Sequence, residues 1–404
     1  MPVLLLRIFI PEIAIILRSA WYQLMNLIFN LLFFLYFSCL GIYGPYLAVY
    51  LADKNFSGVQ IGFLLGSLPI AILIASPIWS YFSDVLNKRK ILLVVGCLGA
   101  GLSTYALGRA DQYSLNFLWI ILMAIMSAPI LPIGTAIVLD ALESQGSREK
   151  FSLVRLWGSL GFAITSLIWG TFFLEEITRY LPWGLAGLFF LLGAISLLLP
   201  EKATDFTYSG LSGLKILTQN KRFTFYLLGS VFIGASISAY NNYQTIFFQS
   251  LDASALLIGI IVSIQAFVEI PTMLWMPFLF KHLSMRVMIM IGAFALILRW
   301  ALYLITQQGI YALPIQLLNG LGIPAFFVVG VAYVDRIVSP KWRATAQGLY
   351  NAALLGIGSG IGVYLAGMVY EWFNVRSIWV LNIIFGLIGM VLLGLAFWGP
   401  KTGE

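Results

Sequence analysis

The chain returns again and again to runs of about twenty mostly apolar residues set apart by short polar loops. A helix rises about 1.5 Å per residue, so such a run matches the hydrocarbon thickness of a bilayer. Twelve can be read, near residues 24–50, 58–82, 91–108, 114–139, 151–173, 181–199, 223–249, 258–280, 287–306, 310–334, 346–370 and 377–399. Lipid offers no partner to a backbone amide, so each run must be a helix that satisfies its own hydrogen bonds. Hydrophobic residues fill 61% of the 404 positions and charged residues 10%, too little polar surface for a chain facing water on all sides. The expectation is an all-α membrane protein seated in the lipid bilayer.

Positive charge gives an orientation. Seventeen of the 23 Lys and Arg residues fall at the termini or in loops that follow even-numbered spans. The other side holds Lys54, Arg109, Arg179 and Arg376, and only Arg155 and Arg299 lie inside spans. Both termini are therefore expected in the cytoplasm, in a plasma (bacterial inner) membrane. The net charge of +7 is then an orientation signal, and no nucleic-acid partner is called for. Arg7, Pro11, Glu12 and Arg18 interrupt the first apolar stretch, and no small-residue cleavage site follows. Residues 1–23 read as a cytoplasmic or interfacial lead-in rather than a signal peptide.

The chain also resembles itself. At an offset of 197, Tyr43 aligns with Tyr240, Tyr46 with Tyr243, Gly62 with Gly259 and Arg89 with Arg286. At an offset of 195, Asp140 aligns with Asp335, Arg148 with Arg343 and Gly161 with Gly356. An even number of spans per half makes the repeat parallel. The division is a bundle of six helices over 24–199, a cytoplasmic linker over 200–222 and a second bundle over 223–404.

The loop after span two, Ser83-Asp84-Val85-Leu86-Asn87-Lys88-Arg89-Lys90, resembles the loop signature of the major facilitator superfamily. Its second copy, Lys281-His282-Leu283-Ser284-Met285-Arg286, lacks the acid. The runs Arg155-Leu156-Trp157-Gly158-Ser159-Leu160-Gly161-Phe162 and Arg343-Ala344-Thr345-Ala346-Gln347-Gly348-Leu349-Tyr350-Asn351-Ala352-Ala353 are similar to the branch that holds phenylpropionate permease. That branch is related to lactose permease and to nucleoside:proton symporters. The resemblance implies the major facilitator fold, twelve transmembrane helices in two pseudo-symmetric six-helix bundles, and transport by alternating access. One departure from lactose permease is plain. Spans four and ten carry no ionisable residue before their cytoplasmic ends at Asp140 and Asp335.

Glu269 falls near the middle of span eight, where an ionisable group is costly unless it faces the bundle interior and has a partner. Arg299 in the antiparallel span nine lies at matching depth, and lactose permease, which the chain resembles, has an acid and an arginine in these spans. The pair reads as a proton-coupling couple or as a static salt bridge. Pro271 removes the backbone bond to the carbonyl of Phe267 beside Glu269, as broken helices around transporter sites do. Arg155, one turn inside span five, reads as a binding charge for a carboxylate or as a structural partner of Asp140. With Glu269 and Arg299 cancelling, Arg155 is left to favour an anion.

Candidate substrate contacts are Arg155, Tyr43, Tyr46, Tyr240, Asn241, Asn242, Tyr243, Gln265, Gln316, Asn319 and Asn351, because amides and phenols inside a membrane must be hydrogen-bonded to protein, water or solute. Tyr50 reads as an interfacial belt residue. The repeated cytoplasmic charges are expected to form a gate, Asp84 with Lys88 or Arg89, Asp140 with Arg148, and Asp335 with Arg343.

One histidine and two cysteines in apolar runs indicate no metal site, disulfide framework or cofactor, and no convergent nucleophile and base suggest an intramembrane enzyme. A scaffold without transport would not need this much intramembrane polarity. The expected function is secondary active transport, as proton-coupled symport of a small organic solute by a monomer. An aromatic or other carboxylate is the first substrate class, and a nucleoside, a sugar or efflux the alternatives.

Overall fold

The computed structural model describes the backbone of residues 2–201, 220–339 and 342–398, and side chains from residue 23 onward apart from Asp84, Glu149, Pro277 and Ala344. Twelve helices in it are long and apolar enough to cross a membrane. The first six are α1 Pro2–Asp53, α2 Gly58–Leu86, α3 Arg89–Leu107, α4 Tyr113–Ser144, α5 Phe151–Phe172 and α6 Ile177–Ser196. The second six are α7 Lys221–Gln249, α8 Ala255–His282, α9 Met285–Ile305, α10 Gly309–Ile337, α11 Thr345–Trp372 and α12 Ser377–Phe397. An even count of crossings puts the two ends of the chain on one face, here called the terminal face; the other is the distal face. The expected lead-in is helical and continuous with the first span, since α1 runs unbroken from Pro2 and the span begins at Gln23. Most of the expected linker lies outside the described residues.

Local chemistry sets several boundaries. Ser57 starts α2 with a capping box: its hydroxyl accepts from the Gln60 amide, and the Gln60 side chain accepts from the Ser57 amide. Ser254 and Ser284 cap α8 and α9 through the amides of Leu257 and Val287. Asn87 ends α2 in the left-handed conformation, at φ 53°, which asparagine adopts more readily than most residues. The helix α10 is broken. A tight turn at Gln316–Leu318 interrupts it, and a widened π-turn at Ala325–Val329 follows Pro324. A second π-turn spans Ala352–Gly358 in α11. Such irregular turns within spanning helices often mark functional positions.

Close packing reveals the internal symmetry. A Cβ on Gly161 of α5 would strike the Phe34 carbonyl of α1, and one on Gly358 of α11 would strike the Val231 carbonyl of α7. Gly62 of α2 lies against Gly367 of α11, and Gly259 of α8 lies against Gly170 of α5. Each second contact repeats the first with every residue displaced by 197. The repeat is therefore in register at 197 through α5 and α11, which corrects the expected match of Gly161 with Gly356: Gly358 holds the equivalent place. Missing side chains let these backbones touch, as in other membrane helix pairs.

The second of these pairs, Gly62 with Gly367 and Gly259 with Gly170, joins the two bundles. α2 packs on α11, α5 on α8 and α1 on α7. A Cβ added at Gly58 or Gly66 would come within 2.7 Å of the Gly367 or Gly360 carbonyl. The Val59 amide donates to Glu371 at 2.7 Å, and the Thr245 hydroxyl to the Pro45 carbonyl at 2.7 Å. These cross-bundle contacts gather toward the distal face. Toward the terminal face, α2, α5 and α8 expose Val85, Leu153 and Phe278 instead.

Filling this seam should open it. Gly62→Leu would force apart backbones that now touch, at about 1–3 kcal/mol. Spin labels on the exposed residues Asn55 and Phe373, at the distal ends of α2 and α11, should move to longer separations in the variant. An unchanged distance distribution would show that the seam does not depend on this contact.

Candidate functional site

The most buried charge in the described part of the chain is the guanidinium of Arg299, whose residue is 1% exposed. It sits on α9 between the face of Tyr240, 4.1 Å from the ring centre, and the rings of Trp300 and Tyr303. Its Nη1 donates to Asn319 Oδ1 at 2.6 Å and its Nη2 to Gln316 Oε1. The tight turn in α10 presents both amides to one cation. Each amide then uses its NH2 group: Gln316 donates to the Tyr240 hydroxyl at 2.8 Å and the Ile261 carbonyl at 3.0 Å, and Asn319 to Glu269 Oε1 at 2.8 Å. Gln265, one turn before Glu269, donates to Gln244 Oε1 of α7 at 2.7 Å. The network thus crosses α7, α8, α9 and α10.

Glu269 and Arg299 do not meet directly. Asn319 stands between them, accepting from the cation and donating to the anion. Glu269 is half-buried, its second carboxylate oxygen has no partner among the described residues, and it interacts electrostatically with Arg155 as well as Arg299. Arg155 lies in the other bundle with its guanidinium 3.9 Å from the centre of the Phe37 ring, and Tyr36 and Glu269 are its electrostatic partners. Asp140, offered as a structural partner for Arg155, is taken by Arg89 at 2.8 Å. So one carboxylate lies in the field of cations from both bundles, with no ion pair to either among the described residues. The premise that Glu269 and Arg299 cancel and leave Arg155 alone does not describe this geometry.

The other candidate contacts divide. Tyr43 is half-buried on α1, while Asn241 of α7 and Asn351 of α11 are exposed. Asn242 donates to the Ser238 carbonyl of its own helix at 2.9 Å. Tyr46 is fully buried with its hydroxyl on the Ser166 carbonyl at 2.6 Å, which makes it a tie between α1 and α5. Tyr243 is fully buried against Tyr370. Tyr50 is no belt residue: it is buried, and its hydroxyl donates to the Leu107 carbonyl at 3.2 Å.

The charges at the terminal face pair differently from expectation. Arg89 meets Asp140 of α4, Arg148 meets Glu143 at 2.9 Å, and Asp335 accepts from Gln347 at 2.8 Å. Arg343 is exposed, as is Lys88, and the side chain of Asp84 lies outside the described residues. All these contacts are within one bundle. A helix C-terminus is a poor place for an acid, which explains why Asp140 and Asp335 each find a donor on a neighbouring helix. Gln347 and the aromatic wall of Trp300, Tyr303 and Trp379 around Tyr240 were not singled out as site residues from the sequence. The wall carries no periodic signal that separates it from ordinary apolar packing.

Comparison with known proteins agrees with this architecture. The model of the MFS_1 like family matches residues 26–381. The nucleoside permease NupG of Escherichia coli is 27% identical over 370 residues, covering 86% of this chain and 87% of that protein. An Escherichia coli protein named a probable 3-phenylpropionic acid transporter is 25% identical over 379 residues, covering 87% and 93%. A crystal structure of nucleoside transporter NupG superposes with a TM-score of 0.83 at 22% identity, covering 93% of this chain and all of that one, a likeness of fold. With the twelve spans, two bundles and family match together, the chain belongs to the MFS_1 like family and is an integral membrane secondary transporter of the major facilitator kind.

Proposed function

We propose that the protein is a proton-coupled symporter of a small, ring-bearing, neutral solute rich in hydroxyl groups, of the nucleoside kind. The observation that carries the reading is the place of Glu269, hydrogen-bonded to Asn319 and in the field of Arg299 of its own bundle and of Arg155 of the other. A carboxylate so placed ties the bundles together electrostatically while it is charged. Protonation cancels that attraction, and a neutral acid is the form a low-dielectric interior favours. Proton binding at Glu269 then releases Arg155 and lets the bundles rock. With a proton gradient directed inward, symport runs as uptake into the cytoplasm, where the basic loops lead both termini to be expected.

A neutral solute suits this charge arrangement. Arg155 already lies in the field of the Glu269 carboxylate, so an anion is not required to balance it. The open Glu269 oxygen accepts a hydroxyl or N–H donor, and Asn241 and Asn351 add amides. The likeness to a nucleoside permease supports the same class. A ring-bearing carboxylate is the second reading, favoured by one observation: Arg155 lies on the Phe37 ring beside Tyr36, a cation on an aromatic wall. The charges at the terminal face would serve as the gate in the opposite conformation, exchanging their present partners within each bundle for partners across it.

In proteoliposomes, Glu269→Gln should abolish uphill uptake driven by a proton gradient and leave solute exchange intact. Wild-type accumulation by this variant would sink the coupling role. Counterflow against nucleosides, hexoses and aromatic acids distinguishes the substrate classes. Arg155→Gln should weaken nucleoside and acid similarly under the first reading; a loss confined to the acid, with the matching amide spared, moves the carboxylate ahead.

Arg299→Ala should cost on the order of 3 kcal/mol, because it leaves two buried amides and an acid without their cation. Thermal unfolding of the purified variant reads this directly. Arg299→Lys should recover part of the loss, since one ammonium cannot reproduce the two-pronged contact. A variant with alanine as stable as the native protein would refute the organising role of Arg299.

A further inference from the structure

The internal repeat makes two seams between the bundles, α2 on α11 and α5 on α8, and they differ at one place. At the distal end of the first seam, Glu371 of α11 reaches across to the start of α2. Its Oε2 accepts from the Val59 amide at 2.7 Å, and the Ser57 side chain interacts with the same carboxylate. Val59 is the second residue of α2, so its N–H is one of the first-turn amides that a helix leaves unpaired. An anion there also lies at the positive end of the helix. Gly58 makes room for the approach, since a Cβ on it would stand 2.9 Å from the Glu371 nitrogen. A displacement of 197 carries Ser57 to Ser254 and Glu371 back to Leu174. Ser254 caps α8 as Ser57 caps α2, but Leu174 has no charge to offer, and it is buried at 4% exposed. Glu371 is exposed.

We infer that Glu371 is the latch of the distal face and that opening there starts at the α2–α11 seam. Drawing the carboxylate off the Val59 amide hands both groups to water, which hydrogen-bonds each of them, so the net cost of release is small. Parting the other seam at the same level uncovers Leu174, which gains nothing from water in exchange. One seam is held by a directional bond that solvent can replace, the other by apolar contact that it cannot. The α5–α8 seam therefore stays closed as the pivot while α2 and α11 separate. Glu371 acts here by positioning the bundles, without touching solute or proton. The inference stands whether or not the symport reading does.

Electron–electron distance measurements on the full chain in nanodiscs read both seams. Spin labels at Asn55 and Phe373 span the first, and labels at the equivalent exposed positions Asp252 and Glu176 span the second. Glu371→Gln keeps the shape of the side chain and removes its charge. It should raise the population of long Asn55–Phe373 separations about threefold and leave the Asp252–Glu176 distribution unchanged. Val59→Pro removes the N–H while Glu371 stays in place, and proline is tolerated in the first turn of a helix. It should have the same selective effect. The two changes together should do no more than the larger one alone, because they remove two ends of one bond. An Asn55–Phe373 distribution that neither change moves would overturn the latch, as would effects that simply add. Lengthening of both distances together would overturn the order of opening.

Discussion

Burying the guanidinium of Arg299 in a bilayer decides much of what surrounds it. A cation that is almost wholly removed from solvent needs hydrogen-bond acceptors close to it. Here Gln316 and Asn319 supply them, and each passes the demand on through its own NH2 group, to Tyr240 and Ile261 in one direction and to Glu269 in the other. Amides can relay in this way because they carry donor and acceptor together. The tight turn at Gln316–Leu318 belongs to the same demand, since it lets two residues three apart in α10 address a single side chain. The irregular backbone, the buried amides and the aromatic wall are one assembly.

The relay also places Glu269 at the boundary between the bundles. Its carboxylate is held from one side by a neutral amide and felt from the other by Arg155. A direct ion pair with Arg299 would have locked the acid inside its own bundle. An intervening amide leaves it oriented but less strongly neutralised, with an oxygen to spare for proton or solute. In the proposed symport the same residues serve both stability and exchange, with their partners drawn from both bundles.

Glycine does the complementary work at the seam. Gly62 with Gly367 and Gly259 with Gly170 are one contact made twice by the internal repeat. In lipid the hydrophobic effect does not press helices together, so close approach and packing must do it. A seam of bare backbone is tight yet holds few hydrogen bonds across it, chiefly those of Glu371 and Thr245. Such a surface can part without leaving many buried polar groups unsatisfied, as alternation between two packings of the bundles requires.

The twelve spans, the duplication and the place of Glu269 and Arg299 at a common depth were legible in the sequence. Length, apolarity and charge bias act locally and survive without tertiary context, because the bilayer imposes the same rule on every segment. The repeat was legible through single matches, but its register in α5 and α11 was not: Gly356 and Gly358 look alike in a glycine-rich run, and only the contact with Val231 selects Gly358. Partner choice was hidden for the same reason. Asp140 turns to Arg89, Asp335 to Gln347 and Glu269 to Asn319, all on neighbouring helices whose rotation no linear pattern records. Depth along a helix can be counted from the chain; which face a side chain presents to its neighbours, and whether an amide slips between two charges, is settled when the helices pack.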